Sequence, residues 1–113
     1  MAALSAITPT LLGTVSTGAA VSSSDTIAQS LLGPRGAYLE IINAGGSPDT
    51  VVISDAGLTA AGNAATPATD VVTAGTSQIF YISPTQVNPS TLVITVTHSF
   101  TGTVTCKLYP NGI

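Results

Sequence analysis

The chain has 113 residues, a net charge of -3 and only 6% charged residues, where about a quarter is usual. Its two strong cations, Arg35 and Lys107, are too few for a phosphate-backbone footprint, which excludes nucleic acid as a partner. The 44% apolar content comes from Ala, Val, Ile and Leu, with Ser, Thr, Gly and Pro filling most of the remainder, as in one turn-rich all-β domain and not a disordered chain.

Residues 1–35 read as an extended arm with little regular structure, holding at most one strand. Leu4, Ile7, Leu11, Leu12 and Val15 have partial helical spacing, but Pro9, Gly13 and the Thr/Ser content oppose a stable helix. Residues 25–32 suit one short turn with Asp25 as its cap. The alternative is an ordinary first strand or two of the domain that follows. Gly33-Pro34-Arg35-Gly36 breaks the chain, and 36–113 reads as the β domain.

From Gly36 the alternation sharpens. Ala37–Asn43 is a strand with Leu39 and Ile41 inward and Tyr38, Glu40 and Ile42 on the other face. A turn cluster at 44–49, which includes Asp49, leads to a return strand at 50–54. Residues 55–68 form a long loop of small residues. Residues 70–73 are extended, Ala74-Gly75 turns, and Thr76–Ile82 is a strand with Ile79 and Tyr81 on one face, Phe80 and Ile82 on the other. Pro84 and Pro89 keep 83–90 out of any central strand.

Residues 91–109 carry the clearest alternation. Leu92, Ile94 and Val96 oppose Val93, Thr95 and Thr97; Val104, Cys106 and Leu108 oppose Thr103, Thr105 and Lys107. A three-residue loop, Phe100-Thr101-Gly102, with Gly102 left-handed, predicts a bulged hairpin that sets Val96 beside Cys106 and Ile94 beside Leu108. The whole reads as six or seven short antiparallel strands: a small β-sandwich, Ig-like or jelly-roll-like, or a barrel-like closure, with an extended N-terminal arm.

Groups able to do chemistry are few. His98 is the only histidine, so a His-based metal site or a two-histidine relay is ruled out, and it reads as a satisfied or partly exposed histidine at the sheet rim. Cys106 is the only cysteine, inward on its strand, and reads as a buried small hydrophobe. Asp55, Asn63 and Asp70 match no calcium-loop spacing, the serines at 22–24 form no nucleophile elbow, and Gly45-Gly46 opens a turn and not a phosphate-binding helix. Tyr38, Phe80, Tyr81 and Phe100 are too scattered to read as a sugar-stacking platform. Residues 39–42 and 79–82 are apolar on both faces, which fits a strand buried on both sides or a face covered by a neighbouring subunit. No catalytic, cofactor or metal residue is expected, and no enzyme. The start, without a basic n-region or a long apolar run, predicts no signal peptide, and nothing approaches the ~20 apolar residues of a membrane helix.

Three stretches resemble the small head decoration, or minor capsid, proteins of tailed bacteriophages that infect actinobacteria. Residues 36–53, GAYLEIINAGGSPDTVVI, resemble their Gly-rich first hairpin; Val71-Val72-Thr73-Ala74-Gly75-Thr76 is similar to a strand-turn step; residues 93–109 look like the closing hairpin of alternating Val and Thr. The Met-Ala-Ala-Leu start also fits, whereas 10–35 and 56–68 match less closely. The resemblance implies a structural virion protein, made in the host cytoplasm and carried on the capsid exterior. Its expected partner is the major capsid protein, with self-association at a capsid symmetry axis, no membrane and no cofactor. Residues 1–35 are the expected lattice contact. A phage tail or baseplate β-module and a carbohydrate-binding or adhesion sandwich are the alternatives.

Overall fold

The computed structural model describes residues 2–16, 18–58 and 60–110; residues 111–113, the expected end of the β domain, lie outside them. Nine strands form among the described residues: β1 (Ala2–Ala3), β2 (Ala19–Ala20), β3 (Ser24–Ala28), β4 (Ala37–Asn43), β5 (Asp49–Ile53), β6 (Ala68–Val72), β7 (Thr76–Ile82), β8 (Val93–His98) and β9 (Val104–Pro110). They make two sheets, ordered β1-β3-β8-β5-β6 and β2-β9-β4-β7. These pack as a sandwich and do not close into a barrel.

The pairings nest. β2 pairs with β9, β3 with β8, β4 with β7 and β5 with β6, all antiparallel. This is one long hairpin whose tip is the β5–β6 loop. Rolled up, it lays β9 beside β4 and β8 beside β5, which is the jelly-roll arrangement. β1 adds a short parallel strand against β3.

Period-two alternation builds the core. Ile27, Val51, Ile53, Val72, Ile94 and Val96 point inward from the five-stranded sheet, and Leu39, Ile41, Ile82, Val104 and Leu108 from the four-stranded one; none is more than 1% exposed. Each such side chain contributes about 1.5–3 kcal/mol by leaving water.

The expected closing hairpin does not form. β8 lies in one sheet and β9 in the other, so residues 99–103 arch across the sandwich. Ile94 and Leu108 face the same core from opposite sides. Alternation specifies which residues turn inward, not the sheet from which they do so. The left-handed residue of the arch is Thr103 (φ 58°), not Gly102. Gly102 instead gives room to the Phe100 ring, whose Cζ would lie 3.0 Å from a Cβ at that position. Leu92, expected inward, precedes β8 with φ 61° and is 51% exposed. The 44–48 link likewise arches, carrying β4 of one sheet into β5 of the other.

The stretch expected to be an arm contributes three strands. β3 is interior to its sheet, between β1 and β8, with Ile27 fully buried. The small polar run at 22–26 hid it, because only Ile27 marks an apolar face. Asp25 caps no turn: it is a buried β3 residue, and the short 3-10 turn forms later, at Gln29–Leu31. Asp49, expected in the turn, opens β5 and is also buried.

Candidate functional site

Three regions bring together groups that the sequence scatters. The first is the polar end of the core. Asp25, Asp49 and His98 point inward from β3, β5 and β8, and each side chain is at most 1% exposed. His98 Nδ1 donates to Asp49 Oδ2 at 2.6 Å, because a carboxylate only accepts. Asp49 Oδ1 accepts the Ser99 and Phe100 amides at 3.0 and 3.2 Å. The other ring nitrogen, Nε2, lies 3.9 Å from Asp25 Oδ2. Asp25 is in turn held by the Ser22 amide at 3.2 Å and the Ser22 hydroxyl.

This arrangement clamps β3, β5, β8 and the 99–103 arch together. Both ring nitrogens face carboxylates, at 2.6 and 3.9 Å, and the side chain is sealed from water. Among the described residues no group of His, Cys, Asp and Glu is placed to hold a metal ion. Cys106 is 5% exposed. Burial first, and the Asp25 carboxylate second, push its thiol up to about 11, so it is protonated and unreactive at neutral pH. Asp55 spends Oδ1 on the Gly57 amide, and Asp70 accepts from the Val71 amide and the Gln78 side chain.

The second region is the outer face of the four-stranded sheet. Strand register aligns Tyr81, Tyr38 and Tyr109 as direct cross-strand neighbours on β7, β4 and β9. These are all the tyrosines of the chain. The rings of Tyr38 and Tyr81 sit 5.8 Å apart at 57°, a tilted contact of the favourable kind. The Tyr81 hydroxyl donates to Arg35 O, and the Tyr109 hydroxyl meets Ser16 Oγ, both at 2.9 Å. The next row is Ile79, Glu40 and Lys107, the one after it Ser77, Ile42 and Thr105. Ile79 is 64% and Tyr81 53% exposed.

The third region is the turn at residues 10–14. It leaves the edge of β9 after Ile7, whose amide bonds Leu108 O, and returns at Ser16 beside Tyr109. Leu11 and Leu12 stand at 106% and 101% exposure, and Val15 at 87%. The turn is nevertheless held: the Gly13 amide donates to Thr10 O, the Thr10 amide to Thr14 Oγ1, and the Thr10 hydroxyl to Gly13 O.

Sequence reasoning places Tyr38 opposite the inward face of its strand and groups Tyr81 with Ile79, but does not assemble the row, because strand pairing, not spacing along the chain, makes it. The Leu11-Leu12 pair is legible as apolar, and the signal for its exposure is the Pro9 and Gly13 that bracket it. No protein-family model, curated protein or solved structure matches the chain.

Proposed function

We propose that the chain is a structural virion protein that binds the exterior of an icosahedral phage head and stabilises its lattice, with the major capsid protein as partner. The observation that carries this reading is the Leu11-Leu12 turn. Two fully exposed leucines on a hydrogen-bonded turn are poorly suited to a free monomer and well suited to insertion into an apolar depression of another protein. They lie in the segment expected to make the lattice contact. Jelly rolls serve in viral capsids and lectins, an analogy at the level of fold that supports the reading without deciding it. Many copies on one lattice make a modest contact sufficient.

The test is co-sedimentation with empty and expanded heads of the cognate phage through a sucrose cushion. Saturable binding at a fixed ratio to the major capsid protein is expected, and the paired Leu11→Ser, Leu12→Ser variant stays in the supernatant. Wild-type protein left in the supernatant at high concentration overturns the head reading; binding to purified tails instead selects the tail or baseplate alternative.

One observation favours a second reading. The row of Tyr81, Tyr38 and Tyr109, flanked by Glu40 and Lys107, sets two exposed rings beside a half-buried one, and such a run of rings supports a carbohydrate-binding sandwich. Retention on immobilised host-wall polysaccharide, lost in Tyr38→Ala and kept in the leucine variant, would select it.

A further inference from the structure

We propose that β7 is a self-association strand: it pairs antiparallel with β7 of a second copy about Ile79, joining two four-stranded sheets into one of eight strands.

A sheet edge presents unpaired amides and carbonyls, and proteins that remain monomeric blunt it with short strands, charges, prolines, bulges or covering segments. Three of the four edges here are blunted. β1 and β2 are two residues each, and beyond β2 the chain at Ala6 and Ile7 covers β9 at Leu108. β6 carries Asp70, on the same face of the strand as the buried Val72 and hydrogen-bonded to Gln78 across the mouth of the sandwich. β7 has no such device. Its seven residues, TSQIFYI, include no charge, proline or glycine. It runs in unbroken one-to-one register with β4 from Ile82 to Thr76, so no bulge turns it away. Among the described residues no strand pairs with its outer side.

The occupant that fits is the strand itself. Antiparallel pairing centred on Ile79 sets Ile79 opposite its mate, Ser77 opposite Tyr81, and Gln78 opposite Phe80. Parity is kept: the outward residues Ser77, Ile79 and Tyr81 meet outward residues, so both cores stay on the same side. The seam gains a central aliphatic pair with an aromatic-hydroxyl pair on either side. No like charges come opposite one another. Glu40, beside Ile79 on β4, would sit three strand spacings from its mate, about 14 Å, beyond a screening length of about 8 Å in physiological salt. Asp70, bonded to Gln78, brings one carboxylate per copy close to the seam, so association should tighten as salt rises. The contact is isologous and closes on itself, which gives a dimer and not a fibre.

Sedimentation equilibrium from low micromolar to near-millimolar protein should show a reversible dimer, with Ile79→Lys weakening it at least about tenfold through the charge that natural edges use. Circular dichroism and thermal melting of that exposed variant check that the monomer stays folded. Register is read by cross-linking under mild oxidant, with Cys106 buried and silent. Ile79→Cys should form a disulfide dimer. Ser77→Cys alone should not, but mixed with Tyr81→Cys it should give the heterodimer. A wild-type protein monomeric throughout the range overturns the proposal. So does a dimer in which Ile79→Cys fails to cross-link, since that dimer uses another surface, and so does an unrelated extended peptide that pairs with β7 while the protein itself stays monomeric. None of these outcomes depends on head binding.

Discussion

At one end of the sandwich three ionisable side chains, Asp25, Asp49 and His98, are sealed from water; at the edge of the other sheet two leucines, Leu11 and Leu12, stand wholly in it. Each region reverses the usual partition of residue types. The cost of burying charge is met within the chain. Asp49 alone collects a ring N–H and two backbone amides, and no buried side-chain polar atom among the described residues lacks a partner. The leucines have no such compensation. Their turn is ordered by side-chain and backbone hydrogen bonds that fix the shape of an apolar tip without covering it. The polar end therefore explains how the fold holds together, whereas nothing among the described residues covers the apolar turn.

The comparison breaks most visibly at Asp49. Asp49→Ala leaves two amides and the imidazole without their acceptor and should destabilise the protein by about 3–5 kcal/mol in urea unfolding. Asp25→Ala should cost less, because among the described residues the hydrogen bonds to Asp25 come from the nearby Ser22 alone. Equal losses would mean that the cluster acts as one network and not as an Asp49–His98 clamp beside a second carboxylate.

The leucines should give the mirror image. Leu11→Ser with Leu12→Ser should leave unfolding within about 0.5 kcal/mol of wild type, as exposed positions do, while costing at least about 2 kcal/mol of head binding if the turn is the anchor. A loss of stability would show that the turn packs on its own fold.

How much of this was legible beforehand follows from the same physics. Inward sets were readable from alternation: Leu39, Ile41, Ile94, Val96, Val104 and Leu108 all face the core as expected. Sheet membership was not. A link such as 99–103 satisfies the same pattern as a hairpin within one sheet or as an arch between two. β3 was hidden because its inward residues are Asp25 and Ile27, and an aspartate in a serine run signals a cap, not a core strand. Asp25 enters the core only because Ser22 and His98, the latter from more than seventy positions away, surround it. The tyrosine row needed the registers of β4 with β7 and with β9, which no local spacing encodes.

A smaller effect separates the tyrosine row from the Leu11-Leu12 turn. Tyr38→Ala removes the middle ring of the row and should cost stability by about 1 kcal/mol, the worth of an aromatic pair. Head binding should be unchanged if the turn alone makes that contact. A parallel loss of head binding would extend the contact from Leu11 through Tyr109 to Tyr38, one continuous strip.

The last effect lies at Cys106, which reports on the polar end from the opposite sheet and is read as a pH slope. Its thiol is raised from an ordinary 9.0 to about 11, by burial and then by the Asp25 carboxylate. The folded state therefore keeps a proton that the unfolded chain begins to release near pH 9. The stability tied to that proton is complete below about pH 9 and drains as pH rises toward 11. The slope is bounded by the one-proton limit of about 1.4 kcal/mol per pH unit. The quantity to measure is the difference in slope between wild type and Cys106→Ala. Wild type should fall more steeply. Adding Asp25→Asn should shrink the difference without abolishing it, since burial is the larger cause. Parallel slopes in wild type and Cys106→Ala would mean that water reaches the thiol, and the core beside Asp25 would then be open to solvent.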